Sequence, residues 1–405
     1  MRNGILESAF RLFLLAALTA GAAQAAVSDN VVRIGVLNDR SGPLADLGGE
    51  GSAVAARMAA EELGNKVLGM PIEIVVADHQ NKTDLGASIA RKWFDSDGVD
   101  AIVDVANSAV SLAIAGMVKE RKKVLINTSG AASLTGKACN PRSAQWLYNI
   151  YATALNQVTQ KDVRAGLDTF YIISVDYAYG HDNARLFREA VARAGGKVLG
   201  EVKHPAGIAD FSSYLLQAQA SGAKGVFLAS TGQDLVNVTK QANEFGLAPR
   251  QTLFAASIMA SEIEANGLEV MQGIRSVSFY EWNINDKARA WAKAYSARMK
   301  GRTPSGVQAA TYSQVKHYLG AVQAAGTDDA DAVLAKMRAM PVDDAFTTGA
   351  RLREDGQLVH DMYVFRVKKP SESSGKGDYN QLLQTIPAEQ AFQSLADSEC
   401  PLVKK

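Results

Sequence analysis

The 405 residues carry 43 Lys and Arg against 42 Asp and Glu, a net charge of +1, and 47% of them are hydrophobic. So even a balance excludes the concentrated basic face that nucleic acid demands and the polybasic patch that holds a protein to an anionic membrane. The length suits two or three domains, and the apolar content can fill two cores.

The first predicted element is an export signal. Arg2 and Arg11 flank the start, residues 12–23 form an apolar stretch too short to span a bilayer, and Ala23-Gln24-Ala25 fits a small-x-small cleavage site. Residues 1–25 are expected to be removed near Ala25, which places the mature chain in the periplasm. An apolar amino-terminal helix packed into the fold is the competing reading. Loss of Arg2, Arg11 and Glu7 leaves 41 residues of each sign. No later stretch offers the roughly 18 uninterrupted apolar residues of a membrane helix. No cysteine stands at the cleavage site to carry a lipid.

Apolar runs at 32–38, 72–78, 101–105 and 124–127 predict strands, separated by helical-period segments at 50–63, 83–96 and 109–120. Strand and helix in alternation is the signature of a parallel sheet with helices on both faces, here one doubly wound lobe. After a linker at 139–146 the pattern restarts. Strands are expected at 169–175, 198–203, 225–229 and 252–255, with helices at 183–194, 211–221 and 234–245 between them. From Asp286 the chain turns helical, over 287–299, 306–324 and 330–340, and then offers one late strand at 362–368. The helices suit a return to the first lobe and the strand an edge of the second sheet, which makes three crossings between lobes. Residues 370–377, PSESSGKG, read as a surface loop.

Cys139 and Cys400 are the only cysteines. An oxidising compartment pairs thiols, so a disulfide tying SECPLVKK to GKACNP is expected, with two separate buried thiols as the alternative.

Open parallel sheets bind ligands at the carboxyl ends of their strands. Four loops of that kind stand out. Residues 38–49, NDRSGPLADLGG, shape a turn before a helix and contain Leu47. Asn107 and Ser108 precede the next helix, where Ser108 can cap the helix or present its hydroxyl to a cleft. Thr128, Ser129, Gly130 and Ala131 form a run of small residues whose amides could meet an anion. Residues 176–180, DYAYG, project Tyr177 and Tyr179 from the second lobe. The five histidines show no metal spacing. Neither a G-x-S-x-G elbow nor a phosphate loop occurs, so an enzyme is the minor reading and no cofactor is expected.

In order along the chain, RIGVLNDRSGPLADLGGEG, VANSAV, INTSGAASLTG, DYAYGHDNA, ADFSSYLLQAQASGAK and REDGQLVHDMYVFRVKKP resemble the periplasmic solute-binding proteins of ABC importers in the branched-chain amino-acid and amide class. The resemblance covers the mature chain and implies a type I periplasmic binding protein: α/β, two doubly wound three-layer lobes joined by a three-crossing hinge. It implies lobe I over 26–145 and about 282–345, lobe II over 146–281 and about 346–385, and a tail, 386–405, returning to the hinge.

The resemblance further implies a ligand carboxylate held by Ser129, Gly130 and Ala131 with Ser108, and closed over by Tyr179; Tyr177 reads as the lobe's structural aromatic, with the reverse order of the two tyrosines as the alternative. Thr231 and Ser257 are the expected neighbours on the second lobe. Two departures bear on the ligand. Ser257 stands where amino-acid binders of this class carry an acid for the ammonium, and Leu47 where they carry an aromatic. Asp234 is a candidate substitute acid, or a plain first-turn acid. The implied ligand is a small organic acid without an α-ammonium, aromatic or branched. Amino-acid binding and a sensor role beside a membrane receptor remain the alternatives. The implied partner is an inner-membrane ABC permease, and the protein is expected to be a monomer.

Overall fold

The computed structural model describes residues 27–42, 44–247 and 250–404, so the expected signal segment lies outside the described residues. Val32–Asn38 (β1) begins the first sheet because its side chains serve two cores at once. Val32, Ile34 and Val36 enter one and Leu37 the other. Between them, Gly35 makes room for Trp93, whose ring would stand 2.4 Å from a Cβ at that position. Lys66–Val67 (β2), Met70–Asp78 (β3), Ala101–Val103 (β4), Val124–Asn127 (β5) and Ser143–Gln145 (β6) complete the sheet in the order β2-β3-β1-β4-β5-β6. All neighbours run parallel except β2, which pairs antiparallel with β3. Strand β6 falls in the stretch read from sequence as linker.

Helices Gly49–Glu62 and Gly306–Ala325 pack together against one face of this sheet, burying Ala55, Ala59, Val315 and Leu319. Helices Thr83–Asp95 and Ser108–Arg121 cover the other with Ala90, Trp93, Val110 and Ile114. The chain turns to opposite sides of β1 to make β3 and β4, so the loops leaving β1 and β4 flank a crevice.

The second sheet comprises Thr169–Val175 (β7), Lys197–His204 (β8), Gly225–Ala229 (β9), Thr252–Ala255 (β10) and Arg275–Ser278 (β11), all parallel. One face buries Phe170, Phe187, Phe227 and Phe254 beneath helix Ala178–Ala194, with Phe187 stacked on Phe227 at 4.1 Å between ring centroids. The other is covered by Ser212–Ala220 and Gly232–Glu244 through Leu215, Leu235 and Val238.

Arg351–Leu352 (β12) and Leu358–Val359 (β13) form a separate hairpin, tied to the end of β6 by the bond from Gln145 N to Gly356 O at 2.8 Å. The late strand, Met362–Val367 (β14), pairs antiparallel with β11, and Asn380–Ile386 (β15) takes the outer edge. Sequence periodicity missed β15 because NQLLQTI is exposed over most of its length and has no buried face to impose alternation.

Three segments cross between the sheets: 145–149, 278–286 and 340–362. They pack on one another. Trp146 is fully buried and its Nε1 donates to Ser313 Oγ at 3.0 Å. Gln357 Nε2 donates to Leu147 O at 2.8 Å, and Tyr280 stacks on Phe346 at 6.0 Å between centroids. Cys139 and Cys400 are disulfide-bonded, with 5.7 Å between Cα atoms and a sequence separation of 261. The tail approaching Cys400 is held by Asn156 Nδ2, donating to Ala391 O at 2.8 Å, and by Arg353 Nη1, donating to Gln393 O at 2.7 Å.

Candidate functional site

The carboxyl ends of β4 and β5 bring two loops side by side. Asn107 caps helix Ser108–Arg121 by accepting from the amides of Ala109 and Val110 at 2.9 and 3.0 Å. This frees Ser108, expected as cap or contact, from capping. Its Oγ lies 3.0 Å from Ser129 Oγ, which also accepts from Ala131 N at 3.1 Å. Ser129 is itself fully buried, pinned by its amide to Asn127 Oδ1 and by its carbonyl to Gln145 Nε2.

Beneath these loops, Asp104 is completely buried with its backbone at φ 58°. It accepts from Asn38 Nδ2 at 2.8 Å and from Thr128 Oγ1 at 3.3 Å. Burial pushes its carboxyl up to about 6 against the opposing pull of those hydrogen bonds.

The second lobe contributes the start of helix Ala178–Ala194 and the end of β10. Tyr179, Asp182 and Asn183 stand three and four residues apart and share one helix face. Together with Ala256 and Ser257 they face Ser108, Gly130 and Ala131 across a cleft of about 430 Å³. Tyr148, Ile150 and Thr153, on the first crossing and the short helix after it, form the cleft's hinge side, and Ala132 and Ser133 its remaining wall. A Cβ at Gly130 would stand 3.4 Å from the Tyr148 ring, so glycine leaves that ring accessible. No Lys or Arg lines the cleft among the described residues.

Glu262 adds charge nearby. Its Oε2 accepts from Met259 N at 2.9 Å, and burial raises its carboxyl above the usual range. Burial first, and then the charge of Glu262, pushes the Tyr148 hydroxyl up to about 12. Burial, Tyr148 and Glu262 together hold Tyr179 well above the ordinary phenol range. Both rings therefore act as protonated hydroxyls with apolar faces.

The cleft gathers Ser108, Gly130, Ala131, Tyr179 and Ser257 from the sequence-predicted set. The other seven do not line it. Leu47 packs on the first core, and its carbonyl accepts from Ser305 Oγ of the returning chain. Asn107 is consumed by capping, Thr128 by Asp104, and Ser129 by the contacts above. Tyr177 is 42% exposed, so it is not the lobe's structural aromatic; it flanks Tyr179 at 6.3 Å between ring centroids. Thr231 is an exposed residue preceding helix Gly232–Glu244. Asp234 is held by Gly207 N at 3.0 Å, which ties it to the loop after β8.

Sequence reasoning missed Tyr148, Asp182, Asn183 and Glu262. Helical spacing from Tyr179 could have found 182 and 183. Tyr148 lay in a stretch without recognisable periodicity, and Glu262 reads as an ordinary first-turn acid.

Comparison with known proteins adds four findings. The family described as "Periplasmic binding protein" matches residues 31–376. A periplasmic binding protein of Burkholderia mallei superposes with a TM-score of 0.82 at 43% identity, over 93% of this chain and 100% of that one. A branched chain amino acid ABC transporter periplasmic ligand-binding protein of Burkholderia xenovorans gives 0.88 at 41% identity, over 92% of this chain and 100% of that one. Among curated sequences, Leu/Ile/Val-binding protein homolog 6 of Brucella abortus is 27% identical over 209 residues, 51% of this chain. The match spans about half of that relative, 52% of its length.

Proposed function

The chain belongs to the periplasmic binding protein family, and on that premise we propose that it captures a small organic acid between its lobes and delivers it, as a periplasmic monomer, to an inner-membrane ABC permease. The observation that carries the choice of an acid is the lobe I wall. Ser108 at a helix N-terminus and the main-chain amide of Gly130 offer neutral donors where a carboxylate gains from the helix dipole without an ion pair. Ser129 accepts the Ala131 amide, and when it gives its own proton to Ser108, one of the two directions their 3.0 Å contact allows, the Ser108 proton is free to donate to the carboxylate. Ser129 is thus a positioning residue.

The faces of Tyr148 and Tyr179 suit an aromatic or branched body. Tyr179 and Ser257 belong to the lobe that swings in, so the ligand stabilises closure through contacts made only in the closed form. Two observations favour an amino acid: Asp182 is a carboxylate in the cleft wall, and the charge of Glu262 reaches both tyrosine hydroxyls.

Calorimetric titration with benzoate, phenylacetate, leucine and glutamate tests the proposal. The expected result is binding of a carboxylate without an ammonium, weakened by about 1–3 kcal/mol in Ser108→Ala and by less in Ser129→Ala. Tight leucine binding with no response to benzoate or phenylacetate would overturn the preference.

A further inference from the structure

We propose that the captured acid carries a hydroxyl at the end remote from its carboxylate, and that Asn183 Oδ1 and Ser257 Oγ on the second lobe recognise it. The inference rests on the carboxylate-binding reading above and adds which acids fit. Asn183 lies one turn beyond Tyr179, in the cleft wall, with 0% of its surface exposed. Its Nδ2 donates to the Tyr179 carbonyl at 2.9 Å, which fixes the amide with its nitrogen toward the helix and its oxygen turned away. That Oδ1 is buried with no hydrogen-bond partner among the described residues. Ser257 Oγ, just after β10 on the same side of the cleft, is likewise buried and unpartnered.

Buried polar atoms left alone are costly, and two on one wall of one cleft define what relieves them. Asn183 Oδ1 can only accept, whereas Ser257 Oγ can donate or accept. A ligand hydroxyl satisfies both, by donating to the amide oxygen and exchanging a hydrogen bond with the serine. A bare aliphatic or aromatic acid satisfies neither. An α-ammonium could donate to the same two atoms, so leucine enters the test as that competitor, and leucine binding tighter than either hydroxybenzoate would overturn the inference. Glu262 places negative charge on the same lobe, which disfavours a second carboxylate there and leaves a neutral hydroxyl unopposed.

The test is calorimetry on the exported protein with benzoate, 3-hydroxybenzoate, 4-hydroxybenzoate and leucine. At least one hydroxybenzoate should bind about tenfold tighter than benzoate, the effect of one well-placed hydrogen bond. In Asn183→Leu, and separately in the milder Ser257→Ala, that ratio should fall toward one. Equal binding of benzoate and both hydroxybenzoates would overturn the inference and leave the carboxylate reading standing. A ratio that survives both substitutions, with melting curves showing folded protein, would also overturn it. Binding of none of the acids by folded protein would remove the carboxylate reading and this inference with it.

Discussion

Replacing Cys139 and Cys400 together by Ser removes a cross-link whose value can be worked from its span. The bond joins residues 261 apart, and loop closure of that length withholds about 19 cal/mol/K from the unfolded chain, about 5.5 kcal/mol at room temperature. This is a ceiling, because a compact denatured ensemble has less entropy to lose. The native tail keeps its bonds to Asn156 and Arg353 without the bridge, so the folded lobes should persist.

Urea denaturation of the double variant, followed by tryptophan fluorescence, should show a midpoint lowered in proportion to a loss of about 3–5.5 kcal/mol, with a slope no smaller than that of the parent. Two lobes need not unfold together, so far-ultraviolet dichroism should be recorded as a second probe. An unchanged midpoint by both probes would refute the assignment of stability to this bridge. A midpoint shift in the parent on adding reductant, absent from the double variant, would tie the effect to the bond itself.

Other outcomes follow from the site and the cores. Burial pushes the Asp104 carboxyl up to about 6 in the fold from an ordinary 3.8, so its contribution to stability is full below 3.8 and lost as pH rises through about 6. Over that window the parent should lose about 3 kcal/mol relative to Asp104→Asn, and a difference between the two that stays flat from pH 4 to pH 7 would refute it. Phe187→Ala should cost about 3–5 kcal/mol by emptying the ring cluster of the second lobe, read as a lowered denaturation midpoint. Tyr179→Ala should weaken aromatic acids more than small aliphatic ones by about 0.5–1.5 kcal/mol, through the lost ring contact; equal losses in calorimetry would count against it.

Much of this was legible in one dimension. The run 32–38 reads as a strand covered on both faces, since Val32, Ile34 and Val36 on one side and Leu37 on the other are apolar, and it lies between two helical layers. The restart of the pattern at Thr169 marked the second sheet, and two cysteines in an exported chain pointed to the bridge. Ser108, Gly130, Ala131 and Tyr179 could be named because they sit at strand ends, where this topology opens, and Ser257 through the family resemblance.

Folding in three dimensions settled the rest. Periodicity reports which side of its own helix or strand a residue occupies, and is silent on how one element is rotated against another. Ser108 and Ser129 look interchangeable in sequence, yet a 3.0 Å hydroxyl contact and three main-chain bonds turn Ser129 inward and leave Ser108 at the cleft. Tyr177 and Tyr179 are two residues apart, and the start of a helix between them sends one ring to the surface and the other into the wall. Tyr148 joins the site only because three distant crossings meet at the hinge, a packing that no local pattern encodes.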